Sequence, residues 1–144
     1  MAEDDDDSVD LVVDAANAVG SRPDGWWRDR PGAARRLLEQ LSHLAARTSA
    51  TGPDGRVLAV GEVHAVLEGA ARSASPEGLR GAVHVHLAEA DGDSSVAELT
   101  ELLTERGRAV LVVTADRGLR ARLPPTAVCA GPGWLRDLLD ELEE

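Results

Sequence analysis

The stretch Val110-Leu111-Val112-Val113-Thr114-Ala115-Asp116 constrains the fold most, because its apolar residues are consecutive. A strand with one wet face alternates apolar and polar side chains, so a continuous apolar run calls for burial on both faces. Leu11-Val12-Val13-Asp14 is built the same way, and both runs lead to an aspartate. Helical patterns lie between such runs, which predicts a mainly parallel sheet covered on both sides. Parallel strands share a direction, so their carboxyl ends share an edge, where open α/β sheets place their ligands.

Element by element, the first strand is expected over 9–14, followed by a loop rich in Gly, Ser, Pro and Asp. A helix opens near Asp29, with Pro31 in the first turn where a missing N–H costs nothing. Ala34, Leu37, Leu38, Leu41, Leu44 and Ala45 form its buried stripe. A turn-rich linker follows over 49–55. The second strand is placed at 63–68, with 57–60 as an insertion or lead-in, and the third at 82–87. Residues 91–93 form a turn, and Ser95 with Glu98 makes a capping box. The helix after it points Val96, Leu99, Leu102 and Leu103 inward and stops at Gly107. A strand over 108–115, a short helix over 117–123, a strand over 126–130 and a helix over 134–143 complete the chain. The expectation is a three-layer α/β/α sandwich with a mainly parallel central sheet of about five strands. It is one domain over 8–144 behind a disordered acidic leader, residues 1–7.

Composition sets the chemical limits. The chain has 144 residues and a net charge of −11, and all 15 basic residues are Arg. There is no Ile, Phe, Tyr or Lys, a bias that fits a GC-rich genome, as in actinobacteria. Five acids sit in the leader, and without them 21 acids still face 15 arginines, a net of −6. That balance argues against binding bulk nucleic acid through a basic face. It is compatible with an acidic pocket that holds a divalent cation, because the metal reverses the local field. One cysteine, Cys129, permits no internal disulfide and fits a reducing compartment. No apolar run approaches the ~20 residues of a membrane span, and no basic-then-apolar signal layout opens the chain. A cytoplasmic location with no membrane partner is expected.

Asp14, Glu68 and Asp116 fall at or just past strand carboxyl ends, and Asp93 sits at a helix start on the same edge. Carboxylates brought close raise one another's pKa unless a cation compensates them. The hard cations Mg²⁺ and Mn²⁺ suit such oxygen ligands, and Asn17 is placed to orient a carboxylate or a metal-bound water. Taken singly, Asp93 reads as a cap or turn residue and Glu68 as a solvated strand end. The joint placement is what points to a metal site.

These residues resemble a family. Asp14-Ala15-Ala16-Asn17, the segment Gly20-Ser21-Arg22-Pro23-Asp24-Gly25-Trp26-Trp27-Arg28-Asp29-Arg30, Leu67-Glu68-Gly69, Gly92-Asp93 and Val113-Thr114-Ala115-Asp116-Arg117-Gly118-Leu119-Arg120 are similar to PIN-like nuclease domains. The nearest group is the NYN (YacP-like) branch, especially its small actinobacterial members. The resemblance implies a metal-dependent ribonuclease in which Asp14, Glu68, Asp93 and Asp116 hold Mg²⁺ or Mn²⁺ and, with Asn17, form the catalytic set. Where relatives tend to carry two adjacent acids, this chain has Asp93-Ser94, so either Asp91 substitutes or a second metal is weakly held.

Arg22, Arg28, Arg30, Arg117 and Arg120 flank the expected mouth, and arginine reads phosphate through paired N–H donors. The plainer reading makes them solvated or acid-paired. Trp26-Trp27 offers a stacking platform for a base, although in a core without Phe or Tyr one ring is expected to fill the gap under the helix. Trp134 reads as packing. His84 and His86 share one face of a strand, with no Cys or third His at zinc-like spacing. They are read as strand histidines. No Gly-x-x-x-x-Gly-Lys loop exists in a chain without Lys.

Three functions follow: a ribonuclease, a nucleotide or pyrophosphate hydrolase on the same site, and a non-catalytic domain that binds RNA or a protein. Partner expectations accordingly run to RNA or a nucleotide, a homodimer, and a protein partner or antitoxin.

Overall fold

In the computed structural model, residues 7–20 and 25–143 are described. The first six leader residues and Arg22 lie outside them. Among the described residues fourteen elements follow one another, beginning with β1 (Val9–Asp14), α1 (Ala15–Gly20), a 3₁₀ turn (Trp26–Arg28) and α2 (Arg30–Ala45). Next come β2 (Ser49–Thr51), β3 (Val57–Leu67), a second 3₁₀ turn (Gly69–Ala74), β4 (Gly78–Arg80) and β5 (Val83–Leu87). The chain ends with α3 (Gly92–Glu105), β6 (Ala109–Val113), α4 (Arg117–Arg122), β7 (Val128–Ala130) and α5 (Pro132–Leu142).

The sheet has seven strands rather than about five, in the order β4-β5-β3-β1-β6-β7, with β2 paired to β3. The expected parallel core is present: β5, β3, β1, β6 and β7 all pair in parallel. The additions, β2 and β4, are three-residue antiparallel strands without a long apolar run of their own. Leu11, Val12 and Val13 are fully buried at the centre of the sheet, as continuous apolar runs require.

Two apolar layers cover the faces. One packs Leu37, Leu38, Leu41 and Leu44 of α2 with Leu135, Leu138 and Leu139 of α5 against Leu11, Val13, Val63, Ala65 and Val113. The other sets Val96 and Leu103 of α3 and Leu119 of α4 over Val12, Val66, Val110 and Val112. The three-layer α/β/α arrangement follows from these two covers.

Several local expectations need correction. The chain after β1 turns at once into the short helix α1, where a loop was expected. The span 57–67 is one strand, because its first part folds back on β2 as a hairpin. The intervening turn holds Gly52 N donating to Arg56 O at 2.7 Å, with Gly55 at φ 84°. The Ser95/Glu98 capping box is displaced: α3 starts at Gly92, and Asp91 is the N-cap, accepting from Ser94 N at 2.7 Å. Leu102 is exposed rather than inward. Asp29 does cap α2, accepting from Gly32 N at 2.9 Å.

Candidate active site at the carboxyl edge of the sheet

From β1 the sheet grows outward through β3 and β5, then the chain crosses back to lay β6 and β7 on the other side. The reversal lies between β1 and β6, the switch point at which open α/β sheets leave a crevice. Asp14 ends β1 at that point. It is 4% exposed, with its neighbour Thr114 fully buried just past the end of β6. Thr114 Oγ1 donates to Asp14 Oδ2 at 3.0 Å, and the Asn17 backbone N–H donates to Oδ1 at 3.4 Å.

The other acids arrive on neighbouring elements. Glu68 follows β3, and its carboxylate lies against the first residue of α3, so a Cβ at Gly92 would collide with it. Gly92 leaves room for this approach, and a Cβ there would make the Glu68 side chain shift. Asp93 stands in the first turn of α3, near enough to Asp116 for that carboxylate to raise its pKa. Asp116 caps α4, accepting from Leu119 N at 3.0 Å, while its own N–H donates to Thr114 Oγ1 at 3.1 Å. Helix amino ends partly offset negative charge, which lets these acids occupy one edge.

The offset is incomplete. Burial raises the Asp14 carboxyl above its ordinary pKa against the pull of Thr114 and Asn17, and the charges of Asp93 and Glu68 add to the rise. Asp93 is also raised, by desolvation first and then by Asp116, Glu68 and Asp91. Asp91, the acid weighed as a stand-in at Ser94, is exposed and lowered by its bond to Ser94 N. Its carboxylate is engaged with its own helix. Ser94 Oγ instead meets Arg122, at 3.2 Å.

Asn17 takes a specific post. Its Oδ1 accepts from Ala115 N at 2.8 Å and so ties α1 to the loop before Asp116. Arg120 donates through Nε and a terminal nitrogen to Thr114 O, at 3.2 and 2.9 Å, clamping the end of β6. Arg117 is exposed. Trp26 lines a hollow of about 200 Å³ with Ala16, Arg30 and Glu68, whereas Trp27 is 55% exposed. Arg30 stacks over the Trp26 ring at 5.5 Å and Arg28 over Trp27 at 5.8 Å. Trp134 packs as expected, with Nε1 donating to Thr51 O at 3.1 Å.

A second polar cluster was not legible in the sequence. Among the described residues, the group of three whose ligand atoms all lie within 4.8 Å of one another is Asp10, Glu62 and His64, not the edge acids. By the spacing of their ligand atoms these three residues could hold a divalent cation. Asp10 is fully buried, and Arg108 donates to both its oxygens, at 3.0 and 2.9 Å. Gly61 makes room, since a Cβ there would collide with Asp10. His64 adds the third imidazole to His84 and His86. Burial lowers both His64 and His86 below the ordinary imidazole value. The available signal was a polar residue at alternate positions, Asp10, Glu62 and His64, within otherwise apolar runs.

No family model matches this chain, and no curated protein does. Among solved structures, the crystal structure of a tryptophan-to-leucine mutant of Rae1 (YacP) from Bacillus subtilis is similar, with a TM-score of 0.67 at 16% sequence identity. The similarity covers 94% of this chain and 77% of that one. The likeness is one of fold. This chain shares the α/β/α fold of that structure. Among the described residues, no helix is long and apolar enough to cross a membrane.

Proposed function

We propose that the chain is a metal-dependent phosphodiester hydrolase, a ribonuclease of the YacP-like kind found among small actinobacterial proteins. The observation that carries this reading is the meeting of Asp14, Glu68, Asp93 and Asp116 at the switch-point edge. There, Asp14 and Asp93 are raised by burial first, and the charges of their acidic neighbours add to the rise. An edge of uncompensated carboxylate oxygens fits a hard cation. Mg²⁺ retains several waters and needs only one or two carboxylates directly, so the spread of these acids suits it. Asp14 and Asp116 are assigned as the main ligands, with Glu68 and Asp93 completing the set.

A bound Mg²⁺ or Mn²⁺ would polarise a phosphoryl oxygen and acidify water. The chain's own groups do the positioning. Thr114 and Asn17 fix Asp14 and the loop to Asp116. Arg22, Arg28, Arg117 and Arg120 supply donors for phosphate, and Trp26 supplies an aromatic wall for a base.

The test is cleavage of labelled single-stranded RNA with Mn²⁺ or Mg²⁺, expected to fall about 100-fold or more in Asp14→Asn/Asp116→Asn. An inactive wild type, or a double mutant as active as the wild type, overturns the reading. A nucleoside triphosphate panel run beside the RNA separates the nucleotide hydrolase, which the net charge of −6 outside the leader favours. Ser94 favours a second reading, a non-catalytic binding domain, in which the chain binds RNA without cleaving it.

A further inference from the structure

We propose that Glu62, His64 and His84 form a second cation site, for a borderline transition metal such as Zn²⁺, on the β3–β5 face and separate from the acidic edge. His64 and His84 are register partners on adjacent parallel strands. Their rings stack with centroids 4.7 Å apart. Glu62 lies two residues before His64 and therefore on the same face. His64 Nε2 stands 3.0 Å from Glu62 Oε1, and His84 Nε2 stands 3.9 Å from Glu62 Oε2. Donors about 2.0–2.2 Å from one tetrahedral ion lie roughly 3.3 Å from each other, close to the His64–Glu62 separation, and a side-chain rotation of the part-exposed His84 would bring its Nε2 to the same ion.

The other ring nitrogen of His64 supports the assignment. His64 Nδ1 and His86 Nε2 are 2.8 Å apart, a distance that requires one proton between them. When His64 carries that proton, its Nε2 presents a lone pair to a carboxylate, and a cation is the partner that satisfies both. A ligating histidine whose second nitrogen is held by another side chain is the usual arrangement at metal sites, which makes His86 a positioning residue. Asp10 is close enough to contribute but is engaged elsewhere: Arg108 donates to both its oxygens, and Glu62 N donates to Oδ1 at 2.9 Å. His84 takes the place that Asp10 cannot.

The site is open to entry. The side chains of Glu62 and His84 are 52% and 36% exposed, while His64 is 6% exposed and anchored. Two imidazoles and a carboxylate suit Zn²⁺, Co²⁺ or Ni²⁺ over Mg²⁺. Because its ligands come from both β3 and β5, the ion would cross-link the two strands and stabilise the folded chain in proportion to its occupancy.

The experiment titrates the full chain with Zn²⁺ alone, following thermal unfolding, and with Co²⁺ alone, following its visible absorption. Expected is a saturable rise in Tm and one equivalent of Co²⁺ that a large excess of Mg²⁺ does not displace. Asp14→Asn/Asp116→Asn retains both signals. Glu62→Gln and His84→Ala, both at exposed side chains, weaken binding at least tenfold. Independently of any variant, Co²⁺ broadens the ring-proton NMR signals of His64 and His84 well before those of His43, an exposed histidine on α2 that serves as an internal control. Absence of saturable binding overturns the proposal. So does binding that is lost with Asp14 and Asp116 but indifferent to Glu62 and His84, and so does broadening of His43 first.

Discussion

The two polar clusters lie toward opposite ends of β1 and handle charge in opposite ways. Near its start, Asp10 is fully buried and paired on both oxygens with Arg108. At its end, Asp14 is almost as buried, yet its partners are a hydroxyl and a backbone N–H, and its charged neighbours are acids. One carboxylate is neutralised within the fold. The other retains unbalanced charge, which is what a cation site requires and what a purely structural position avoids.

The largest way to break the contrast is Arg108→Ala. It leaves the Asp10 carboxylate buried without its cation, and we expect a loss of about 3–5 kcal/mol in urea denaturation. A loss below about 1 kcal/mol would mean that water reaches Asp10 and that the two ends of β1 are more alike than they look. Next is Thr114→Val, which removes the donor to Asp14 Oδ2 and the acceptor for Asp116 N. It should cost about 2 kcal/mol and shift the acidic limb of any metal-dependent activity to higher pH.

The smallest effect has the opposite sign. Asp14 and Asp93 have raised pKa values in the fold, so the native state holds protons more tightly than the unfolded chain does. Their contribution to stability is therefore best at low pH. It declines as pH rises from the ordinary carboxyl value through the raised one, and stays unfavourable above it. Asp93→Asn should then stabilise the metal-free protein at neutral pH by only about a few tenths of a kcal/mol, because solvent screens this part-exposed group. The advantage over wild type should vanish as pH falls toward 3.8. An advantage that persists unchanged in acid would mean that electrostatics is not its source.

The layered fold was legible in the chain because burial is written locally. Leu11-Val12-Val13 and Val110 to Val113 lack polar alternation, and the leucine stripe of α2 keeps helical spacing. The edge acids were legible for a related reason: parallel strands share their carboxyl ends whatever their lateral order. The two extra strands were not, since Ser49–Thr51 and Gly78–Arg80 are defined by a partner rather than by a pattern. The Asp91 cap was missed because two cap sequences overlap there, Asp91 with Ser94 and Ser95 with Glu98. The packing of Gly92 against Glu68 accompanies the earlier start.

What the sequence determined alone is therefore the class of fold and the edge at which its acids gather, both consequences of residue periodicity and strand polarity. Tertiary structure decided which polar groups meet across strands. The hydrogen bond from Glu62 N to Asp10 spans 52 positions, and the contact of His64 with His86 spans 22. Such meetings depend on β3 lying between β1 and β5 in one particular register. A shift of one residue would turn Glu62 and His64 to the opposite face, and no local pattern in the chain specifies that alignment.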